Sequence, residues 1–153
     1  MIKNAILKKY GDLRAAKFFR VYAAIKSLNL TAKQNLFVMS QIMLETGIFS
    51  SRVKVFDLNN NASGIYFSGS AAQLANGATR GSLRPASEGG NYANFKNLDD
   101  WAKEYLRVLN KGSFPLTANT ITEFNEKLVE NRYYDIRGAA QYLKNLTFFI
   151  IFN

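Results

Sequence analysis

Apolar residues in the first third of the chain return with the period of a helix. Over about residues 13–28 they recur every three to four positions, and Asp12 stands where the N-cap residue of such a helix is expected. Thr31 and Gln34 then have the spacing of a capping box, which predicts the start of a second helix. This part of the sequence therefore predicts two helices joined by a short break.

The second predicted helix is apolar on nearly every face. Between positions 36 and 44 it carries Leu, Phe, Val, Met and Ile on all sides, and a helix of this kind is buried inside a larger fold. We expect it to run to about Thr46 and to stop at Gly47, because glycine often follows a helix in the left-handed conformation.

The middle of the chain has the pattern of a small β lobe. Residues 50–63 look irregular, and the asparagine run that begins at Asn59 marks turns. Two short β-like runs follow at residues 64–67 and 92–95. The segment between them is rich in Gly, Ser and Ala, which predicts a long loop that is able to move.

Helical patterning returns in the last third of the chain. Asn97 is placed to cap a third major helix that ends at Gly112. Thr120 and Glu123 have the spacing of a second capping box, and a last helix is predicted over about residues 136–149.

The order of these elements sets the expected fold class, which is mainly α with a small β lobe (α+β). A chain of 153 residues fits one domain. We therefore predict a single domain over residues 1–153, with a helical lobe over about 12–50 and 97–150 and a β lobe or loop over about 64–95.

Composition narrows the chemistry that the chain can perform. The sequence contains no Cys and no His. Disulfide scaffolds, thiolate catalysis, Ser-His-Asp catalysis and the usual zinc hydrolase sites are therefore excluded. Any chemistry must rest on carboxylates, Tyr, Lys or hydroxyl groups, and we expect neither a metal ion nor a cofactor.

The net charge of +9 is concentrated in the first part of the chain. Residues 1–54 hold ten Lys or Arg against two acids (+8), whereas residues 55–153 hold ten against nine (+1). This imbalance indicates an anionic partner, such as nucleic acid, a membrane surface or a cell wall, or else a solvated basic helix face. No nucleic-acid recognition motif accompanies the charge, so we expect no nucleic-acid partner.

Neither end of the sequence predicts a membrane span. The first residues lack the uninterrupted apolar stretch of a secretory signal. Residues 148–152 are apolar but far fewer than the ~20 residues of a spanning helix. We expect this stretch to form the last turn of a helix in the core, or to contact another chain.

Glu45 is the charged residue that stands out. It is the only charge between Lys33 and Arg52, and it lies at the end of the predicted buried helix. Apolar surroundings and the partial negative charge of a helix C-terminus both oppose ionisation, which raises the pKa of a carboxyl group as a general acid requires. The alternative is that Glu45 points into solvent, or pairs with Arg52 or Lys54.

Four segments carry a family resemblance, and they are residues 41–47 (Gln-Ile-Met-Leu-Glu-Thr-Gly), residues 60–65 (Asn-Asn-Ala-Ser-Gly-Ile), the aromatic run 92–106, and the group Tyr133, Tyr134 and Tyr142. In this order they resemble the glucosaminidase-type peptidoglycan hydrolases, glycoside hydrolase family 73 of the lysozyme superfamily. The resemblance implies a lysozyme-like fold. It also implies that Glu45, which matches the family's Leu-Glu-Ser-Gly glutamate, is the catalytic acid.

Two pairs of positions depart from the family's pattern. Ile48 and Phe49 follow the acid where the family often has Trp-Gly, and Ala62 and Ser63 stand in place of Leu-Phe. The first pair alters a contact near the acid and the second a core contact, but both leave the acid in place. Endo-β-N-acetylglucosaminidase, muramidase and lytic transglycosylase activities all stay open.

A glycosidase usually needs a second carboxylate, and the resembled family places one on the β lobe. Glu88 lies 43 positions after Glu45 beside two glycines, so a hinged loop could carry it into the cleft. Its alternative role is an ordinary solvated charge. Asp57 is the reserve, with a turn-stabilising role as its alternative. Substrate assistance by an N-acetyl group, or formation of an anhydro sugar, would need no protein nucleophile.

Substrate contacts are predicted for five polar or aromatic residues, namely Tyr66, Asn60, Asn61, Tyr133 and Tyr134. Aromatic rings can stack on the apolar faces of sugars, although a Tyr can equally belong to the core or the rim. The asparagines could bind sugar amides, or they could shape the turn below the acid.

These observations predict a hydrolase that cleaves β-1,4 glycosidic bonds of bacterial peptidoglycan with Glu45 as its general acid. The alternative is a non-catalytic cell-wall-binding or virion structural domain that retains the fold. A chain without a signal fits a phage-encoded lysin acting at the host cell wall, either released or virion-associated, or an enzyme excised from a longer precursor.

Overall fold

Helices, a short hairpin and further helices follow one another along the chain. The computed structural model of the protein describes residues 8–50, 54–133 and 140–145. The helices are α1 (Asp12–Lys26), α2 (Ala32–Glu45), α3 (Val55–Asn59), α4 (Ala71–Ala75), α5 (Leu98–Leu109) and α6 (Ile121–Glu130), and the strands are β1 (Thr79–Leu83) and β2 (Asn91–Asn94). A 3-10 turn covers Pro115–Thr117. The predicted α+β class with mainly helical content is confirmed.

The start of α1 differs from the prediction by one residue. Gly11, not Asp12, is the N-cap residue, with φ at 79°, and no side chain caps the helix. This φ lies in the left-handed region, which glycine adopts without steric cost. Asp12 is the first helical residue, where its charge still interacts favourably with the helix N-terminus. The helix ends at Lys26, two residues before the predicted end.

The second helix matches its sequence signals. The amide of Gln34 donates to Thr31 Oγ1 at 3.2 Å, and the amide of Thr31 donates to Gln34 Oε1 at 2.9 Å. The predicted capping box is therefore confirmed. Residues 37–43 are all buried, which confirms that α2 crosses the core. Gly47, at φ 53°, follows the helix end as predicted.

The β region is smaller than predicted, and one of its two strands lies elsewhere in the sequence. β2 lies within one residue of the predicted second run, but its partner is β1, with Thr79 opposite Asn94 and Arg80 opposite Ala93. Residues 64–67 make only an isolated bridge between Tyr66 and Tyr92, so their prediction as a strand is wrong.

Backbone geometry explains why residues 64–67 do not continue as a strand. Gly64 and Gly69 both have φ at 67°, so a left-handed residue interrupts the extended backbone on either side of the bridge. The helices α3 and α4 also lie where the sequence predicted irregular chain. Each has only five residues, which is too short for a helical period to be visible.

The later helices start as predicted. Asn97 Oδ1 accepts from the amide of Asp100 at 2.8 Å, which confirms the cap of α5. Thr120 Oγ1 accepts from the amide of Glu123 at 3.1 Å, but the carboxylate of Glu123 accepts from the amide of Asn119 instead of closing a full capping box.

The ends of the later helices are less well predicted. The helix α5 ends at Leu109, three residues before Gly112. Of the predicted last helix, residues 140–145 are described and helical. Its remaining residues, including the apolar stretch 148–152, lie outside the described residues.

The core lies between the major helices. Ile25 on α1, Ile42 on α2, Trp101 and Leu109 on α5, and Phe124 on α6 are all 0% exposed. Burial of one such side chain stabilises a fold by about 1.5–3 kcal/mol. Because α2 is packed in the core over residues 37–43, its C-terminal end, which carries Glu45, is held in place.

In the described ranges, no helix combines the length and the apolar character that crossing a bilayer requires.

Candidate active site

Glu45 lies in an open cleft of about 710 Å³. The cleft is bounded by the end of α2, by residues 63–65, by Val108 near the end of α5, by Lys111 and Gly112 after it, and by residues 130–133 at the end of α6. Ligand clefts in proteins have volumes of about 300–1,000 Å³. The cleft around Glu45 is therefore large enough for a ligand of several rings.

The carboxyl group of Glu45 has neutral hydrogen-bond donors around it. The hydroxyl of Tyr142 donates to Glu45 Oε1 at 2.9 Å. Glu45 is exposed as a whole residue because it faces the open cleft, yet protein atoms crowd its carboxyl group. This desolvation raises the pKa of Glu45, and hydrogen bonds from Tyr142 and Gln41 oppose the rise only in part.

Among the described residues, Glu45 has no ion pair. One predicted alternative was a pair with Lys54, which the structure does not contain. The other proposed partner, Arg52, lies outside the described residues. Within the described ranges, Glu45 therefore lacks the close ion pair that most strongly favours the charged form of a carboxyl group.

Gln41 connects Glu45 to the core. It is fully buried one helical turn before Glu45. Its Nε2 donates to the hydroxyl of Tyr133 at 2.9 Å and to that of Tyr142 at 3.3 Å. The hydroxyl of Tyr105, on α5, donates to Gln41 Oε1. The buried amide therefore fixes the positions of three phenol groups around the acid.

The three tyrosines remain protonated at any ordinary pH. Burial raises the pKa of Tyr105, Tyr133 and Tyr142 well above the usual value, and the negative charge of Glu45 raises each further. Tyr142 can thus serve as a permanent hydrogen-bond donor to Glu45. The proton that can be exchanged in this network belongs to Glu45.

Asn131 also lines the cleft and holds part of its wall in place. Its Oδ1 accepts from the amide of Ser113 at 2.8 Å, and its Nδ2 donates to the carbonyl of Leu109 at 3.5 Å. A side chain at Gly112 would collide with this amide group. These contacts fasten the segment after α5 to the end of α6.

The asparagine run shapes the floor of the β region. Asn61 is fully buried, and its Nδ2 donates to the carbonyls of Ile65 and Ala93 at 2.8 and 2.9 Å. Asn60, with φ at 47°, donates to the carbonyl of Phe95 at 2.9 Å. Both side chains are engaged with backbone groups, and neither lines the cleft. The structure thus places them in the turn-shaping position that was the alternative to sugar binding.

Ser63, at one of the positions that depart from the family pattern, lies in the cleft wall. The indole Nε1 of Trp101 donates to Ser63 Oγ at 3.1 Å. A leucine or phenylalanine here could not accept this bond, so the departure is matched by a polar contact to the core.

The two carboxylates predicted as partners of Glu45 lie elsewhere. Glu88, near the tip of the β1–β2 hairpin, pairs with Arg84 at 2.6 Å and does not line the cleft. Asp57, on α3, pairs with Lys17 at 2.6 Å. The structure therefore brings neither carboxylate to the cleft of Glu45.

The predicted aromatic contacts separate into three cases. Tyr133 lines the cleft. Tyr66 is 51% exposed but lies outside the cleft, with the guanidinium of Arg84 5.6 Å from its ring centre. Tyr134 lies outside the described residues.

Sequence reasoning missed several residues of this site, which are Gln41, Tyr105, Lys111, Glu130 and Arg132. Gln41 has a visible signal, because a residue four positions before Glu45 on a helix lies on the same face. The other residues carry no such signal, because only the folded chain brings them to the cleft.

The described residues contain no group of three or more His, Cys, Asp or Glu side chains that could hold a metal ion. Comparisons with protein-family models, curated proteins and solved structures find no match to this chain.

Proposed function

We propose that this protein cleaves β-1,4 glycosidic bonds in the glycan strands of bacterial peptidoglycan, with Glu45 as general acid in a lysozyme-like fold. One observation carries the proposal. Glu45 faces an open cleft with a raised pKa and without a described cation beside it. A carboxyl group in this state keeps its proton at higher pH than an ordinary glutamate.

The chemistry that such an acid supports is protonation of a leaving oxygen. Cleavage of a glycosidic bond requires a proton on the departing oxygen while positive charge develops at the sugar ring. Glu45 would supply the proton, and Tyr142 would then stabilise the carboxylate through its hydrogen bond. Tyr133, in the cleft wall, offers an aromatic surface for a sugar face.

Sequence features support the substrate class. The segment that contains Glu45 resembles the helix end that bears the acid in the glucosaminidase-type hydrolases, and three later segments follow in the family's order. The net charge of +9 would attract the protein to an anionic cell wall. Action at the host wall as a phage lysin or virion-associated enzyme is part of this proposal.

Clearing of purified peptidoglycan sacculi tests the assignment. The wild-type protein should reduce their turbidity, and Glu45→Gln should abolish the effect, because the amide cannot donate the required acidic proton. Glu126→Gln is the matched control, since Glu126 is exposed on α6 outside the cleft. Mass spectrometry of the products then identifies the new sugar end, including any anhydro end.

Two results would contradict the proposal. Retained clearing by Glu45→Gln would remove Glu45 from the mechanism. If the wild-type protein binds sacculi without clearing them, the alternative of a non-catalytic wall-binding or virion domain is favoured.

A further inference from the structure

A second glutamate lies in the cleft of Glu45. Glu130 is the last residue of α6 and lines the same cleft. It is exposed, and within the described parts of the chain its carboxylate has no ion pair and no side-chain hydrogen bond. Asp57 and Glu88, by contrast, are engaged with Lys17 and Arg84.

Glu45 and Glu130 occupy equivalent positions at two helix ends. Each is the last helical residue, and the residue two positions later is left-handed, with φ at 53° for Gly47 and 54° for Arg132. The same backbone hydrogen bond closes both ends. Ile48 donates to Met43 O at 2.8 Å, and Tyr133 donates to Leu128 O at 2.9 Å.

This arrangement suits the transition state of glycoside cleavage. The C-terminal ends of α2 and α6 both border the cleft, and each carries partial negative charge. The partial negative charge of both helix ends would favour positive charge that develops on a sugar ring bound in the cleft. Lys111 and Arg132 also line the cleft, and they offer cationic groups to anionic parts of a substrate.

The helix end that carries Glu130 is held in place by the residue that follows it. Asn131 binds the segment 109–113 through its amide, and Gly112 leaves the room that this amide needs. Glu130 therefore extends from a fastened helix end. Water reaches its exposed carboxylate through the open side of the cleft.

We propose that Glu130 is the second catalytic carboxylate and acts as the base that activates water. The inference rests on the proposed function. Glu45 transfers its proton to the glycosidic oxygen, and the bond from that oxygen to the anomeric carbon breaks with its electron pair. A water molecule forms the new bond to the anomeric carbon, and its proton passes to Glu130. The anomeric configuration is inverted.

Kinetics on soluble, un-cross-linked glycan strands test this role. Glu130→Ala should lower kcat by about 100-fold or more, the usual contribution of a general base. Glu126→Ala, one turn earlier on α6 and outside the cleft, should leave kcat unchanged. Equal melting temperatures of the variants and the wild type verify that the fold is intact.

Azide rescue adds a measurement that a purely structural role would not change. Azide should restore turnover of Glu130→Ala and yield the α-glycosyl azide, because it attacks from the face that Glu130 serves. Nuclear magnetic resonance should show the α-anomer as the first product of the wild-type protein.

The outcomes separate the two proposals. If the wild-type protein cleaves no glycan, the proposed function and this inference fail together. If the wild-type protein cleaves and Glu45→Gln does not, full activity of Glu130→Ala overturns this inference alone. A β-anomeric first product, or the same loss of kcat in Glu88→Ala instead of Glu130→Ala, also overturns it.

Discussion

Glu45 and Glu104 lie in two polar regions of the molecule, and of the two only Glu104 forms an ion pair with another described residue. Glu104, on α5, is 0% exposed and binds Arg107 at 2.6 Å and Asn76 at 2.9 Å. Burial is the largest influence and acts to raise the pKa of Glu104. The hydrogen bonds from Arg107 and Asn76, together with the charge of Arg107, nevertheless lower it.

The comparison shows that hydrogen bonds and an adjacent cation can together outweigh the effect of burial on a glutamate in this fold. Desolvation raises the pKa of Glu45, and the hydrogen bonds from the neutral side chains of Tyr142 and Gln41 only partly oppose this rise. Glu104 holds α4 to α5 as a charged structural group. Glu45, whose pKa is raised, keeps its proton to higher pH than an ordinary glutamate.

The largest expected difference between the two glutamates is in what each contributes to the stability of the fold. Glu104→Gln should reduce the free energy of unfolding by about 1–3 kcal/mol, because it weakens charged hydrogen bonds to a buried group. Glu45→Gln should change it by less than about 0.5 kcal/mol, because its side chain faces the cleft. Urea denaturation of both variants measures the two values, and equal losses would contradict the comparison.

The pH dependence of the two variants should have opposite signs. The raised pKa of Glu45 means that the native state holds this proton more tightly than the unfolded chain. Its contribution to stability is therefore full below the ordinary Glu value and is lost as pH rises through the raised pKa. The contribution of Glu104 is present above the ordinary value and is lost as pH falls through its lowered pKa.

Urea denaturation between about pH 4 and about pH 7 measures both effects. As pH rises, Glu45→Gln should become more stable relative to the wild type, whereas the deficit of Glu104→Gln should grow. Parallel pH profiles for the two variants would show that the difference between the two sites is not electrostatic.

The smallest expected effect concerns the donor on Glu45. Tyr142→Phe removes the hydroxyl that stabilises the carboxylate, so the pKa of Glu45 should rise further. Titration of the glutamate carboxyl carbons by nuclear magnetic resonance follows this change without requiring activity. Tyr22→Phe, on α1, is the control and should leave the titration unchanged. A fall in the pKa of Glu45 in Tyr142→Phe would contradict the assigned hydrogen bond.

Local signals account for the parts of the fold that were predicted correctly. The capping box at Thr31 and Gln34 and the cap at Asn97 are patterns of residues close together in sequence. The helix α2 is apolar on nearly every face, which predicts its burial. The pairing of β1 with β2 depends on residues 79–94 folding back on themselves, and β1 (Thr-Arg-Gly-Ser-Leu) carries no alternating apolar pattern. The sequence pattern therefore does not predict the polar strand β1.

The residues of the candidate site likewise fall into those that the sequence predicts and those that only the fold brings together. Glu45 was identifiable because it is a single charge at the end of an apolar helix. Glu130 lies 85 positions later among other charged residues, and only tertiary packing brings its helix end to the cleft. The glycines beside Glu88 predict a hinged loop that carries it into the cleft. In the structure, Glu88 instead pairs with Arg84, four residues before it.

Donors and acceptors follow one another in a fixed order in the hydrogen bonds around Gln41. An amide group has one accepting and one donating end, so the bond from Tyr105 to Oε1 determines that Nε2 faces Tyr133 and Tyr142. A phenol oxygen that accepts from an amide still has its own hydrogen to donate, and Tyr142 donates it to Glu45. The direction of these hydrogen bonds is thus set by Tyr105, a core residue on α5. If the side-chain amide of Gln41 were reversed, the hydroxyl of Tyr142 would donate to Gln41 Oε1, and Glu45 would face a lone pair of that hydroxyl instead of its hydrogen.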